Sequence, residues 1–200
     1  MCFFSEMLAI HHEEFQRKSS LDYHLGNYEA SEDYFNTLVD LKLNGTILDN
    51  FKVFSSNQKI NHIYELKKPF YLMSYASWCV PSNGELEALN RIVNENSGWM
   101  DFVLILWDEK KDAMDFARQF PDKIKVLYVN ELYNTETKTI KMLKHKLGFP
   151  ISLTVGSNKM IVNIRKNTQI HLSVPKDEAA EKCYEDISKD ILMLQKHENF

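Results

Sequence analysis

One short run in this chain of 200 residues has the residue types for covalent chemistry: Trp78-Cys79-Val80-Pro81-Ser82, with Glu85 six positions after the cysteine. Cys79 follows an apolar stretch, Pro69-Phe70-Tyr71-Leu72-Met73-Ser74-Tyr75-Ala76, and precedes a helix-forming segment. The free N–H groups and the dipole at a helix start favour a thiolate over a thiol. The sequence therefore predicts Cys79 as a nucleophile, its thiolate held by backbone N–H groups within 80–82 and by the Ser82 hydroxyl. Glu85 reads as an acid in the first helical turn, aligned with the dipole, or as a proton-transfer group.

The elements that must carry this run can be read from periodicity. Residues 69–76 are apolar at successive positions, as in an interior strand. The helix after Cys79 is expected to reach about residue 94, with Leu86, Leu89 and Val93 on one stripe. An alternation follows: strand 101–107, helix 110–120, strand 124–129, helix 137–147 and strand 151–155. A turn at Ser157-Asn158 leads into strand 160–164. A last helix from 176 to about 197 places Ala179, Cys183, Ile187, Ile191 and Leu194 on one face. This order implies an α/β fold: a central, mainly parallel sheet with helices on both faces and a closing antiparallel hairpin. Ahead of it, residues 1–46 read as a helical extension. Helices are expected over 6–17 and 31–43, the second capped by Ser31, and a turn at Ser55-Ser56-Asn57-Gln58 precedes the central strand. The main domain is expected over 47–200.

Composition narrows the function. The net charge of -4 offers no basic excess for nucleic acid or an anionic membrane. No stretch approaches the ~18 apolar residues of a membrane span. Cys2, Cys79 and Cys183 are too few and too scattered for a disulfide framework or a metal site. His11-His12-Glu13-Glu14 reads as a solvated helix face, and Asn44-Gly45-Thr46 matches a glycosylation triplet. The N-terminus lacks the basic start of a secretory leader. At face value the chain is cytoplasmic, or extracytoplasmic (periplasmic) if it is a mature form or an excised domain. Oligomeric state has no signal in the sequence.

Several features together resemble the thioredoxin superfamily over about residues 47–195. They are Trp78-Cys79-x-Pro81 after a strand ending Tyr75-Ala76-Ser77, Glu85 in the following helix, Gly148-Phe149-Pro150 before a strand, and the closing hairpin at 153–162. The extra α–β unit at 110–129 is similar to the TlpA/ResA-like oxidoreductases and the AhpC/TSA branch. The resemblance implies a cis bond at Pro150, with Phe149 and Pro150 facing the substrate beside Trp78, Val80 and Pro81. Phe149 would pair its backbone with a substrate peptide.

The family's second cysteine is Ser82 here, and its buried strand acid is replaced by Ser74. A hydroxyl cannot resolve a mixed disulfide. The resemblance then leaves three readings. One is a monothiol oxidoreductase acting through Cys79 on protein or low-molecular-weight thiols and disulfides, with an external resolving thiol. Another has Cys183 or Cys2 as the resolving thiol. The third is a redox-silent thioredoxin-fold binding module using the former substrate groove. A one-cysteine peroxidase fits less well, since Ser77 is badly placed and Arg91 lies far along the helix. No metal or organic cofactor is implied.

Overall fold

A computed structural model describes residues 2–56, 60–130, 141–167 and 169–199. The centre is a six-stranded sheet. Its strands are β1 (Phe54–Ser55), β2 (Phe70–Tyr75), β3 (Asp101–Leu106), β4 (Lys125–Tyr128), β5 (Ile151–Val155) and β6 (Ile161–Lys166). The spatial order is β1-β4-β3-β2-β5-β6. Strands β2, β3 and β4 run parallel, whereas β1 joins β4, β5 joins β2 and β6 joins β5 antiparallel.

The uninterrupted apolar writing of β2 is explained by burial on both faces. Phe70 and Leu72 point into one core, together with Val103, Ile105 and Leu153. Tyr71, Met73 and Tyr75 point into the other, with Phe102, Leu104 and Leu106. Helices α3 (Glu85–Asn96) and α5 (Lys176–Glu198) cover the second face, and Leu89, Ile92, Ile187 and Ile191 fill it. The expected stripe of α5 is buried as read. Helix α4 (Lys110–Ala117) sends Ala113 into the same core.

The N-terminal region packs on the first face. Helices α1 (Phe4–His24) and α2 (Tyr28–Leu38) continue into a π-helical turn, Val39–Leu43. Phe4, Leu8, Phe35, Leu38 and Leu43 join the core. Three expectations are corrected here. The first helix spans 21 residues and extends well past residue 17. Ser31 is not a cap: α2 begins at Tyr28 after Gly26, whose φ of 77° turns the chain, and Ser31 lies inside the helix. His12 does not lie on a solvated face. It is buried, its Nε2 pairs with the Lys146 carbonyl at 2.9 Å, and burial lowers its pKa. The helical period puts His12 on the core side of α1 while Glu13 and Glu14 stay exposed.

Of the helix expected over 137–147, residues 137–140 lie outside the described residues, and Lys141–Lys146 form a π-helical turn. Of the expected turn at 55–58, residues 57 and 58 also lie outside them. Thr46 of the glycosylation triplet is buried, its hydroxyl donating to the Leu43 carbonyl at 2.6 Å.

Candidate functional site

Strand β2 ends at Tyr75, and the chain turns at once. Asp108, just past the end of the adjacent parallel strand β3, holds the turn. Ser77 donates its N–H and its hydroxyl to the two Asp108 oxygens at 2.8 and 2.7 Å. Cys79 folds back on the strand end. Its N–H donates to the Ala76 carbonyl at 2.9 Å, and its sulfur accepts the Ala76 N–H at 3.5 Å. The thiol is 9% exposed, between Trp78 at 73% and Val80 at 76%. Pro81 is half-buried.

The expected source of thiolate stabilisation is corrected. Helix α3 begins at Glu85, a full turn and more beyond the cysteine, because Gly84 takes a left-handed φ of 78° at the helix start. The Ser82 N–H points to Glu85 Oε2 at 2.8 Å. The Ser82 hydroxyl accepts the Ile170 N–H at 2.7 Å. Burial pushes the Cys79 thiol above its ordinary pKa. The Ala76 N–H works against that shift, and the Asp108 carboxylate adds to it.

Residues 82–84 form a junction. Asn83 donates through Nδ2 to the Val174 carbonyl at 2.9 Å. Cys183 donates its thiol to the Asn83 carbonyl at 3.7 Å, and burial pushes it up to about 11. All three cysteines are free thiols, with Cys2 exposed.

Glu85 is buried, and its carboxyl group collects three donors. Tyr75 Oη and Asn167 Nδ2 donate to Oε1, and the Ser82 N–H donates to Oε2. Desolvation nevertheless raises its pKa, and the three hydrogen bonds oppose the rise. A carboxyl with a raised folded pKa holds its proton more tightly in the native state than in the unfolded chain. Its contribution to stability is therefore present at acid pH and is lost as pH rises from about 4.5 through the folded value. Urea unfolding across pH checks this. The stability of the natural protein minus that of Glu85→Gln should fall as pH rises from about 4. A flat difference would contradict it.

On the far side of the cysteine lies the loop expected to face a substrate. The Phe149–Pro150 peptide bond is cis. The Phe149 ring meets Trp78 edge-on at 6.2 Å and tilts over Trp107 at 6.5 Å. Phe149 makes no backbone hydrogen bond among the described residues. The Pro150 carbonyl accepts the Asn167 N–H at 3.3 Å. Ser74 accepts the Trp107 indole N–H at 2.8 Å.

The structure thus gathers Trp78, Cys79, Val80 and Phe149 at one end of the sheet. Ser82 and Glu85 turn toward Ile170 and Asn167. Sequence reasoning missed Asp108, Asn167 and Ile170. Asp108 had a signal, since residues just past the C-terminal ends of neighbouring parallel strands share one edge of the sheet. Asn167 and Ile170 had none, lying more than eighty residues from their partners Glu85 and Ser82. Among the described residues no cluster of three His, Cys, Asp or Glu side chains could hold a metal ion, and no helix is long and apolar enough to cross a membrane.

No protein-family model matches the chain, and no curated protein matches its sequence. Solved structures do match. One, assigned as a thiol:disulfide interchange protein DsbE from Chlorobium tepidum, has 20% identity and a TM-score of 0.56 over 74% of this chain and 95% of its own. The thioredoxin domain of a thiol-disulfide oxidoreductase from Bacteroides vulgatus has 12% identity and a TM-score of 0.56, over 73% and 96%. A thio-disulfide isomerase from Thermus thermophilus has 17% identity and a TM-score of 0.50, over 70% and 92%.

This is a thioredoxin fold. On that fold the Cys79 loop follows a central parallel strand, and β5–β6 is the closing hairpin. The thioredoxin-like sheet is parallel only through β2, β3 and β4, and antiparallel strands lie on both sides of them.

Proposed function

We propose that the chain performs thiol–disulfide exchange through Cys79 alone and stops at the mixed disulfide. One observation carries the reading: a single, barely accessible thiol after the central strand, flanked by exposed Trp78 and Val80, with a hydrogen-bonded Ser82 where a second thiol would act. The neighbouring oxidoreductase structures support the thiol–disulfide part of this reading. In the step itself, the Cys79 thiolate attacks one sulfur of a partner disulfide. A new S–S bond forms as the old one breaks, and the other half leaves as a thiolate with the bonding pair. An external thiol then attacks the mixed disulfide. It returns Cys79 as a thiol and leaves as the new disulfide. Trp78, Val80, Pro81, Phe149 and Pro150 form the substrate-facing rim, and the backbone of Phe149, without a hydrogen bond among the described residues, can bond an extended segment. Residues 1–46 serve as a helical extension that completes the core of the domain at 47–200.

The raised Cys79 pKa sets the pH profile. Burial moves formation of the Cys79 thiolate to higher pH than for an ordinary thiol. Alkylation of Cys79 by iodoacetamide should keep rising past pH 8.5, about where a free thiol reaches half its limit. A plateau below that pH would contradict the geometry. For the exchange itself, intact mass is measured after incubation with glutathione disulfide and with a peptide disulfide. One adduct is expected on Cys79, absent in Cys79→Ser and released by added thiol. No adduct with either disulfide, or an internal disulfide to Cys183 or Cys2, would overturn the reading.

The raised pKa favours a second reading, a redox-silent binding module built on the same rim. It predicts partner binding that survives Cys79→Ser and is lost with Trp78→Ala.

A further inference from the structure

The N-terminal extension reaches the Cys79 site through one buried side chain. Helix α1 packs on the π-helical turn Lys141–Lys146, and that turn leads into the Phe149–Pro150 loop. His12 of α1 is 5% exposed, and both of its ring nitrogens face Lys146. Nε2 lies 2.9 Å from the Lys146 carbonyl oxygen, and Nδ1 lies 3.3 Å from Lys146 Nζ.

This geometry assigns the proton. A carbonyl only accepts, so Nε2 carries the hydrogen and donates it. An ammonium only donates, so Nδ1 is the bare acceptor. The bracket is therefore made by a neutral imidazole. A second proton would set an N–H against the ammonium and open it. The charged groups that act on the ring are Lys146, from the turn, and Glu13, from α1 itself. Toward α2 the ring meets Phe15 edge-on at 6.2 Å. Burial and the Lys146 charge lower the His12 pKa against the pull of the carbonyl, so the neutral form holds at neutral pH and above.

The turn needs such a partner. The last carbonyls of a helical turn have none within it, and His12 supplies one to Lys146. Leu143 and Leu147 are buried in the core beside it. Apolar burial is non-directional, so it leaves the end of the turn free to pivot. Gly148 follows at once, and then Phe149, whose ring meets Trp78 next to Cys79. We infer that His12 is a positioning residue for the exchange site: by holding the Lys146 carbonyl, it seats the Phe149–Pro150 loop for an extended partner segment. This rests on the rim proposed above as the place where that segment bonds. The extension is thereby part of partner recognition, and recognition relaxes as His12 gains its second proton.

The Phe149 amide, followed by NMR as pH is lowered, gives the first test. It should shift with an inflection below about 6.5, the free-histidine value. His12→Gln keeps an Nε2 donor but does not titrate, so its Phe149 amide should stay near the neutral-pH position. Lys146→Met removes the ammonium and should move the inflection to higher pH. The second test compares rates at Cys79 above neutral pH. His12→Leu should react about two- to tenfold more slowly with an octapeptide disulfide, the worth of one hydrogen bond. His12→Gln should recover the natural rate, and all three proteins should react equally with iodoacetamide, which needs only the thiolate. A Phe149 amide that does not titrate, or titrates alike in His12→Gln, would overturn the inference. So would an inflection that Lys146→Met leaves in place, or a His12→Leu loss equal for peptide and iodoacetamide. If the natural protein forms no adduct with any disulfide, the exchange reading fails, and the NMR titration still decides whether His12 seats the loop. It decides alone where His12→Leu does not fold.

Discussion

Replacing Gly84 with alanine is expected to cost about 3 kcal/mol or more, from left-handed strain and overpacking together. Gly84 has φ 78° at the start of α3. A Cβ there would lie 2.3 Å from the Ala180 nitrogen, 2.5 Å from the Ala179 carbonyl carbon and 2.7 Å from the Ala180 Cα. These are backbone atoms of α5, which cannot swing aside as a side chain could. Either α5 lifts from α3 or the 82–84 junction rearranges. Gly45 is the internal control. Its φ is 81°, yet a Cβ there meets nothing within 4 Å. Gly45→Ala should therefore cost only the left-handed strain, about 1–2 kcal/mol. Urea unfolding separates the two, and the Gly84→Ala melting temperature should drop by roughly 6–12 °C. Equal losses at both glycines would show that α5 does not press on the junction.

Glu85→Leu should be similarly damaging for a different reason. Leucine fills much of the volume but removes the acceptor of two buried donors, the Tyr75 hydroxyl and the Ser82 N–H, and of the half-buried Asn167 amide, which keeps only its bond to Tyr75 Oη. Each buried donor left unpaired costs about 1–3 kcal/mol, so the two together cost about 2–6 kcal/mol. Glu85→Gln keeps one acceptor oxygen for Tyr75 and Asn167 but turns an NH2 toward the Ser82 N–H. Its loss should be about half that of leucine. Denaturation at neutral pH tests the order. If Leu were tolerated as well as Gln, the carboxyl would not be holding the loop. A paired reading of Cys79 alkylation is informative, because Glu85 fixes the Ser82 end of the loop. Loosening it should expose the thiol and speed the reaction.

These two positions mark where sequence reading stops. Strand β2 was legible because burial on both faces writes an uninterrupted apolar run, and the α5 stripe because its helical period is regular. The alternation of strands and helices gave the layered architecture. The place of Cys79 just past the central strand was legible, but the start of α3 was not. The Pro81-Ser82-Asn83-Gly84 stretch can be the first turn of a helix or a loop before one. The choice depends on α5 pressing against Gly84 and on Asn167 reaching Glu85. Such contacts between distant segments leave no local pattern. The same holds for Ser82, whose hydroxyl is taken by Ile170. His12 was misread because the polar run around it, His11 before and Glu13-Glu14 after, masks a core-facing turn of α1.

Ile47 is bridged on one side by Phe3 and on the other by Met160. Its N–H donates to the Cys2 carbonyl at 3.0 Å, and its carbonyl accepts the Phe4 N–H at 2.8 Å. The adjoining Gly45 N–H and Thr46 carbonyl pair with the carbonyl and N–H of Ile161. During synthesis the Phe3–Ile47 side of this seam leaves the ribosome first, and the seam can close only after the β5–β6 hairpin has emerged. The helical hairpin α1–α2 is thus born early but seated late. Until then its apolar side is open to chaperones and to other nascent chains.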